Sequence, residues 1–227
     1  MMHLNKLRQL ALLLTILPSL ATAHGVAEGD AQFIERAQGM QIGPYLYLGA
    51  KHMVTGYDHL LFLAGVIFFL YRLKDVALYV TLFAFGHSLT LLLGVLGHLH
   101  INPYLVDAII GFSVVYKAFE NMGGFKSLNI KLDPRGAVLL FGLAHGFGLS
   151  TKLQDLTLSK EALIPNMLAF NVGVELGQFT ALALILLAFS WWRQHPSFLQ
   201  RAFTTNMLIM TAGFVLCGYQ LTGLLLS

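Results

Sequence analysis

Six long apolar runs, separated only by short polar loops, leave this chain few folds to choose from. They cover roughly 55–71, 76–97, 103–121, 136–152, 163–192 and 203–226, and a helix crossing the hydrocarbon core needs about 20 such residues. Within lipid the backbone must satisfy its own hydrogen bonds, which leaves helices and closed barrels. Continuous apolar runs of this length, without alternation, are helices. Composition agrees, with 56% hydrophobic and 11% charged residues and a mean hydropathy of +0.70, too apolar for a soluble domain of this size. The sequence predicts an all-α, polytopic membrane helix bundle with about six transmembrane helices, embedded in the lipid bilayer.

The first 23 residues, MMHLNKLRQLALLLTILPSLATA, are expected to be a cleaved signal peptide. Lys6 and Arg8 form a basic start, Leu10 to Leu20 an apolar stretch, and Ala21 and Ala23 a small-residue cleavage site. Cleavage would leave His24 at the new N-terminus. It would also take two cations and no acid from the formal net charge of +3, leaving +1, so the basic pI of 9.0 is no argument for a nucleic-acid partner. Residues 24–54 then form an exported segment. Within it GPYLYLGAKHMVTG is expected to be an interfacial or re-entrant helical piece, and residues 55–227 form the six-span domain. Protein partners are not legible.

Basic residues set the orientation. Arg72 and Lys74, Lys126, Lys131 and Arg135, and Arg193 and Arg201 lie in alternate loops, which places those loops in the cytoplasm. The expected location is a bacterial-type inner (plasma) membrane, with the mature N-terminus and the C-terminus both on the exported side.

On that topology the polar residues inside the apolar runs share the exported half. His52, Asp58 and His59 stand at the outer end of the first span, His87 in the outer half of the second and His145 near the middle of the fourth. Glu175 lies in the outer half of the fifth, in an i, i+4, i+7 pattern with Asn171 and Gln178. His52 and His59 are seven residues apart and share a face wherever the backbone is helical. A lone intramembrane histidine is an ordinary interhelical hydrogen-bond partner. Carboxylates are different, because an ionised Asp or Glu near mid-membrane costs about 2.5–3.5 kcal/mol. Asp58 and Glu175 therefore need a cation, a proton or a water-filled cavity, and Lys51 is the only basic residue expected at their depth.

A divalent transition metal would satisfy imidazoles and carboxylates together. The single cysteine, Cys217, excludes a thiolate site. Imidazole with carboxylate suits nickel, cobalt, zinc, iron or copper(II), so the expected metal residues are His52, Asp58, His59, His87, His145 and Glu175. Asn171, Gln178 and Asp107 are possible supporting residues, Asp107 alternatively capping the helix after Pro103. His98 and His100, in GHLHINP, and His24 are possible capture residues, the first two alternatively plain solvated side chains.

The stretches HMVTGYDHLLFL (52–63), FGHSLTLLLG (85–94), FGLAHGFG (141–148) and FNVGVELGQ (170–178) resemble the second branch of the HupE/UreJ family of hydrogenase and urease accessory membrane proteins. The resemblance extends over most of the chain. It implies a polytopic helical fold, nickel or cobalt as the favoured metal, a role in supplying metalloenzyme or cofactor assembly, and a site on His52, Asp58, His59, His87, His145, Asn171 and Glu175.

Two functions and a structural alternative compete at this point. One is a divalent metal permease. The second is an intramembrane zinc hydrolase in which three histidines hold the metal, Asp58 or Glu175 serves as general base and Ser88 assists. The third makes the cluster a non-transporting metal-binding or structural lock between helices.

Overall fold

The structure, a computed structural model, describes residues 28–156 and 161–227. The expected signal peptide and His24 lie outside the described residues. Helix α1 (Glu28–Arg36) leads into α2 (Ile42–Thr55) and α3 (Tyr57–Ile67), followed by α4 (Leu73–Gly97), α5 (Pro103–Asn121) and the short α6 (Gly124–Ser127). The path closes with α7 (Pro134–Gln154), α8 (Leu163–Trp192) and α9 (Ser197–Leu226). No strand occurs among the described residues, so the all-α polytopic bundle expected from the apolar runs is the fold.

Among the described residues four helices, α4, α7, α8 and α9, are long and apolar enough to cross a membrane. Their outer faces carry large apolar side chains such as Phe85, Leu93, Leu184, Leu187 and Leu208, which only lipid can cover over so wide an area. Helix α5 bears Asp107, Lys117 and Glu120 and is not among the four, and α3 alone is too short.

Helix pairing rests on small residues, because lipid gives apolar faces no reason to leave it for one another. α2 and α8 run parallel with their backbones in direct apposition: a Cβ on Gly177 would stand 2.5 Å from the Ala50 carbonyl oxygen, and one on Gly173 would overlap that of Leu46. α4 and α7 are also parallel. A Cβ on Gly142 would stand 2.5 Å from the Phe83 carbonyl oxygen, and the Thr90 hydroxyl donates across the seam to the Leu143 carbonyl at 2.7 Å. α5 and α9 form a third pair, antiparallel, with Gly111 against the backbone of Cys217.

The ends of the bundle are chemically distinct. At one end Gln154 donates to the Leu99 carbonyl at 3.1 Å, and Asn166, in the first turn of α8, holds the link before α2 by accepting from the Gln41 N–H and donating to the Gly39 carbonyl. At the other end the Arg193 guanidinium donates to the carbonyls of Ile67 and Phe68, closing the C-terminus of α3. Arg72, Lys74, Lys126, Lys131, Arg135 and Arg201 belong to the loops and helix starts at this second end.

The piece before residue 55 is helical: GPYLYLGAKHMVTG forms most of α2, and α2 and α3 make one path interrupted at Gly56. The run that hydropathy starts at 55 thus begins at Ile42, and its first half is held by α8.

Candidate metal centre

Gly56 has extended backbone geometry (φ −72°, ψ 101°) between two helices, so α3 leaves α2 at a bend. Any residue tolerates those angles; the space does not. A Cβ at position 56 would lie 2.8 Å from His59 Nδ1 and 3.2 Å from Asp58 Oδ1. Glycine here lets the imidazole of His59 fold back under the break toward His52. Seven-residue helical spacing does not bring these two together; the bend does.

The break sits deep. His52 lies 10 residues into α2, His87 10 residues before the end of α4 and His145 nine before the end of α7. At 1.5 Å per residue each is about 14–15 Å below the end of the bundle that carries the α4–α5 and α7–α8 loops. That puts the break well inside the helix bundle rather than at its rim.

His52, His59 and His87 each offer a ring nitrogen within 4.8 Å of the others, a separation one metal ion can span. Their ring centroids are 5.2 Å (His52–His59) and 5.7 Å (His59–His87) apart, and His145 stands 4.9 Å from His59. Phe62, Phe83 and Phe170 pack around the imidazoles. His59, His87 and His145 are fully buried and His52 is half-buried. Both ring nitrogens of His87 are buried without a hydrogen-bond partner among the described residues, an arrangement that a ligand or metal would relieve.

Two contacts fix which nitrogens face inward. His145 Nδ1 is 2.7 Å from the Phe141 carbonyl oxygen and must donate to it, which leaves Nε2 with the lone pair. His59 Nδ1 is 3.0 Å from Asp58 Oδ1, and the same oxygen accepts from the His59 backbone N–H at 2.8 Å. Asp58 therefore orients His59 and leaves its Nε2 as the donor atom, the carboxylate–histidine arrangement common at metal sites. In this structure the Asp58 carboxylate acts through the imidazole.

The other candidates are distributed differently. Glu175 is exposed and lines a groove of about 260 Å³ between α4 and α8 with Val80, Thr81, Ser88 and Gln178, outside the imidazole group. Gln178 is buried and donates to the Val80 carbonyl at 3.2 Å; Asn171 is buried, and neither of its amide atoms has a hydrogen-bond partner among the described residues. The Ser88 hydroxyl is likewise without a partner, beside His87 and facing the groove. His98 is the exposed, left-handed cap of α4 (φ 51°), and His100 is exposed 4.0 Å from Asp155. Asn102, rather than Asp107, caps α5 by accepting from the N–H groups of Tyr104 and Leu105.

Asp107 instead pairs with Lys152 at 2.6 Å. The sequence reading allows only Lys51 as a cation at this depth, yet Lys51 binds Asp30 at 2.8 Å while Lys152 reaches inward to Asp107. The signal that identifies Lys152 is its place seven residues after His145, on the same face of α7.

Among curated proteins and solved structures, no match to the chain is found. The model of the family described as HupE / UreJ protein matches residues 28–227. That match takes in every element from α1 to α9, and the chain belongs to the HupE/UreJ family.

Proposed function

We propose that the chain is a divalent transition-metal permease whose cargo passes through the His52/His59/His87 group. One observation carries this reading: the imidazoles gather on both sides of a helix break at mid-depth. Discontinuous helices that meet near the bilayer midplane are the usual substrate sites of secondary transporters, and irregular backbone at such depth survives only where it lines a protected cavity. His145 completes the group, and Asp58 orients His59. Family membership favours nickel or cobalt as the cargo, delivered to metalloenzyme or cofactor assembly; an all-imidazole donor set accepts zinc as well.

The glycine-locked pairs suggest how the ion moves. His87 and His145 ride on α4 and α7, one close-packed pair, whereas His52 rides on α2, locked to α8. Rocking of one pair against the other alters the distance between the two halves of the site without unpacking either. On this reading α2–α3 and α5 also cross the bilayer, giving six spans, with the basic end cytoplasmic. His98 and His100 then stand on the exported side, where His24 would join them after cleavage.

Metal analysis of the purified chain beside the His52/His59/His87/His145 alanine set tests the site, with equal metal content in both sinking the proposal. Uptake of labelled nickel, cobalt and zinc into proteoliposomes tests passage. Metal that binds and never crosses refutes the permease and directs attention to zinc-dependent hydrolysis, in which three imidazoles leave an open position for water.

A further inference from the structure

Lys152 and Asp107 form the most deeply buried ion pair between an acid and a lysine near the end of the bundle that carries the α4–α5 and α7–α8 loops. The carboxylate is 6% exposed, and the lysine side chain 19%. Lys152 follows His145 by two helical turns on the same face, so its Cα stands about 10 Å farther along α7 toward the bundle end. Apart from Asp58, beside His59, and Lys117, near the other end of α5, no other Asp, Glu, Lys or Arg is buried among the described residues.

The pair is incomplete. Lys152 holds only Oδ2 of Asp107; Oδ1 is buried without a partner, and so is the hydroxyl of the adjoining Thr151. A buried carboxylate normally fills all its acceptor positions. Asp107 thus has room for a second cation, and a divalent ion is a stronger partner for it than an ammonium.

We propose that Asp107 is a metal-binding station between the bundle end and the imidazole group, and that Lys152 is a tethered cation which the arriving metal displaces. This rests on the permease reading of the imidazole group. With no metal present, Lys152 neutralises Asp107 and repels a dication from the imidazoles. An ion that reaches Asp107 takes over its carboxylate and frees the ammonium, whose flexible stem carries it outward. The ion then stands two turns from His145 with its repelling neighbour withdrawn.

Displacement has a direct readout. The full chain in detergent is treated with an amine-acylating reagent, with and without nickel(II), and acylation of Lys152 is quantified by mass spectrometry against Lys51. Metal should raise Lys152 acylation by about tenfold and leave Lys51 unchanged. His87→Ala, which weakens the deeper site, should reduce that response. Asp107→Asn should expose Lys152 without metal, abolish the response and lower nickel affinity by about tenfold, a carboxylate contact at this depth being worth at least that. Nickel bound by wild type with Lys152 acylation unchanged overturns the displacement while leaving the imidazole site standing. A wild-type chain that binds no nickel or zinc overturns the reading of the site, and the station with it.

Discussion

Gly56→Ala probes the break that makes the site. The backbone of residue 56 lies in extended geometry that alanine adopts without strain, so any effect comes from the added methyl. It would lie 2.8 Å from His59 Nδ1 and 3.1 Å from the His52 carbonyl oxygen. Ordinary contact needs about 3.5 Å, so the imidazole must retreat by about 0.7 Å. Behind it are Phe83 and the rings of His87 and His145, at centroid distances of 6.2, 5.7 and 4.9 Å, so the ring cannot move without losing Asp58 or the other imidazoles. Metal sites tolerate bond-length errors of only about 0.2 Å, and loss of an orienting carboxylate costs about 10–100-fold in affinity. Gly56→Ala should therefore weaken nickel binding by about 10–100-fold, or about 1.4–2.8 kcal/mol. Calorimetric titration of the full chain in detergent measures it, with thermal unfolding as the control for fold. A folded alanine variant that binds within twofold of wild type would refute the geometry.

Asp58→Asn should cost a similar 10–100-fold in metal affinity while preserving the bend, because the amide no longer holds the His59 Nδ1–H as an anion does; titration of the folded variant decides. His87→Ala should fold and purify without metal, since neither ring nitrogen bonds to the protein; metal content equal to wild type would remove His87 from the site. Gly146→Val, which would overlap the His87 carbonyl and the Thr90 hydroxyl, should destabilise the α4–α7 pair by about 1–3 kcal/mol or more, read as a lower thermal midpoint in detergent. Metal binding should weaken on acidification, because imidazole binds metal only when deprotonated and protons then compete for every ligand; affinity that rises as the medium is acidified would argue against an imidazole site.

Where hydrophobicity alone determines structure, the sequence was a sufficient guide. Runs 103–121 and 163–192 match α5 and α8 because Asn102 and Pro103 start one helix and Trp191, Trp192 and Arg193 finish the other. The same criterion started the first helical run late, since Lys51, His52 and the glycines lower the hydropathy of α2 although α8 covers it. The histidines were legible as a set, because each is an expensive residue in an apolar run. Their arrangement was not. Asp58 is adjacent to His59 in the chain, and that its carboxylate meets the ring of its own neighbour is not visible from spacing. Lys152 and Asp107 are separated by 45 positions, so the step of seven from His145 marks the lysine's face but not the acid it meets. Glu175 shares a helical period with Asn171 and Gln178, yet the seam between α4 and α8 leaves it on the open side.

The α2–α8 apposition also governs when this protein can become active. The bond from Gln41 to Asn166 joins residues 125 positions apart, and the glycine face of α2 has no cover until α8 has been synthesised and inserted. During translation the histidines of α2 and α3 therefore wait beside an unfinished wall. Only when α8 arrives late in the chain does α2 meet the helix it packs against, so the first part of the fold is completed by nearly the last.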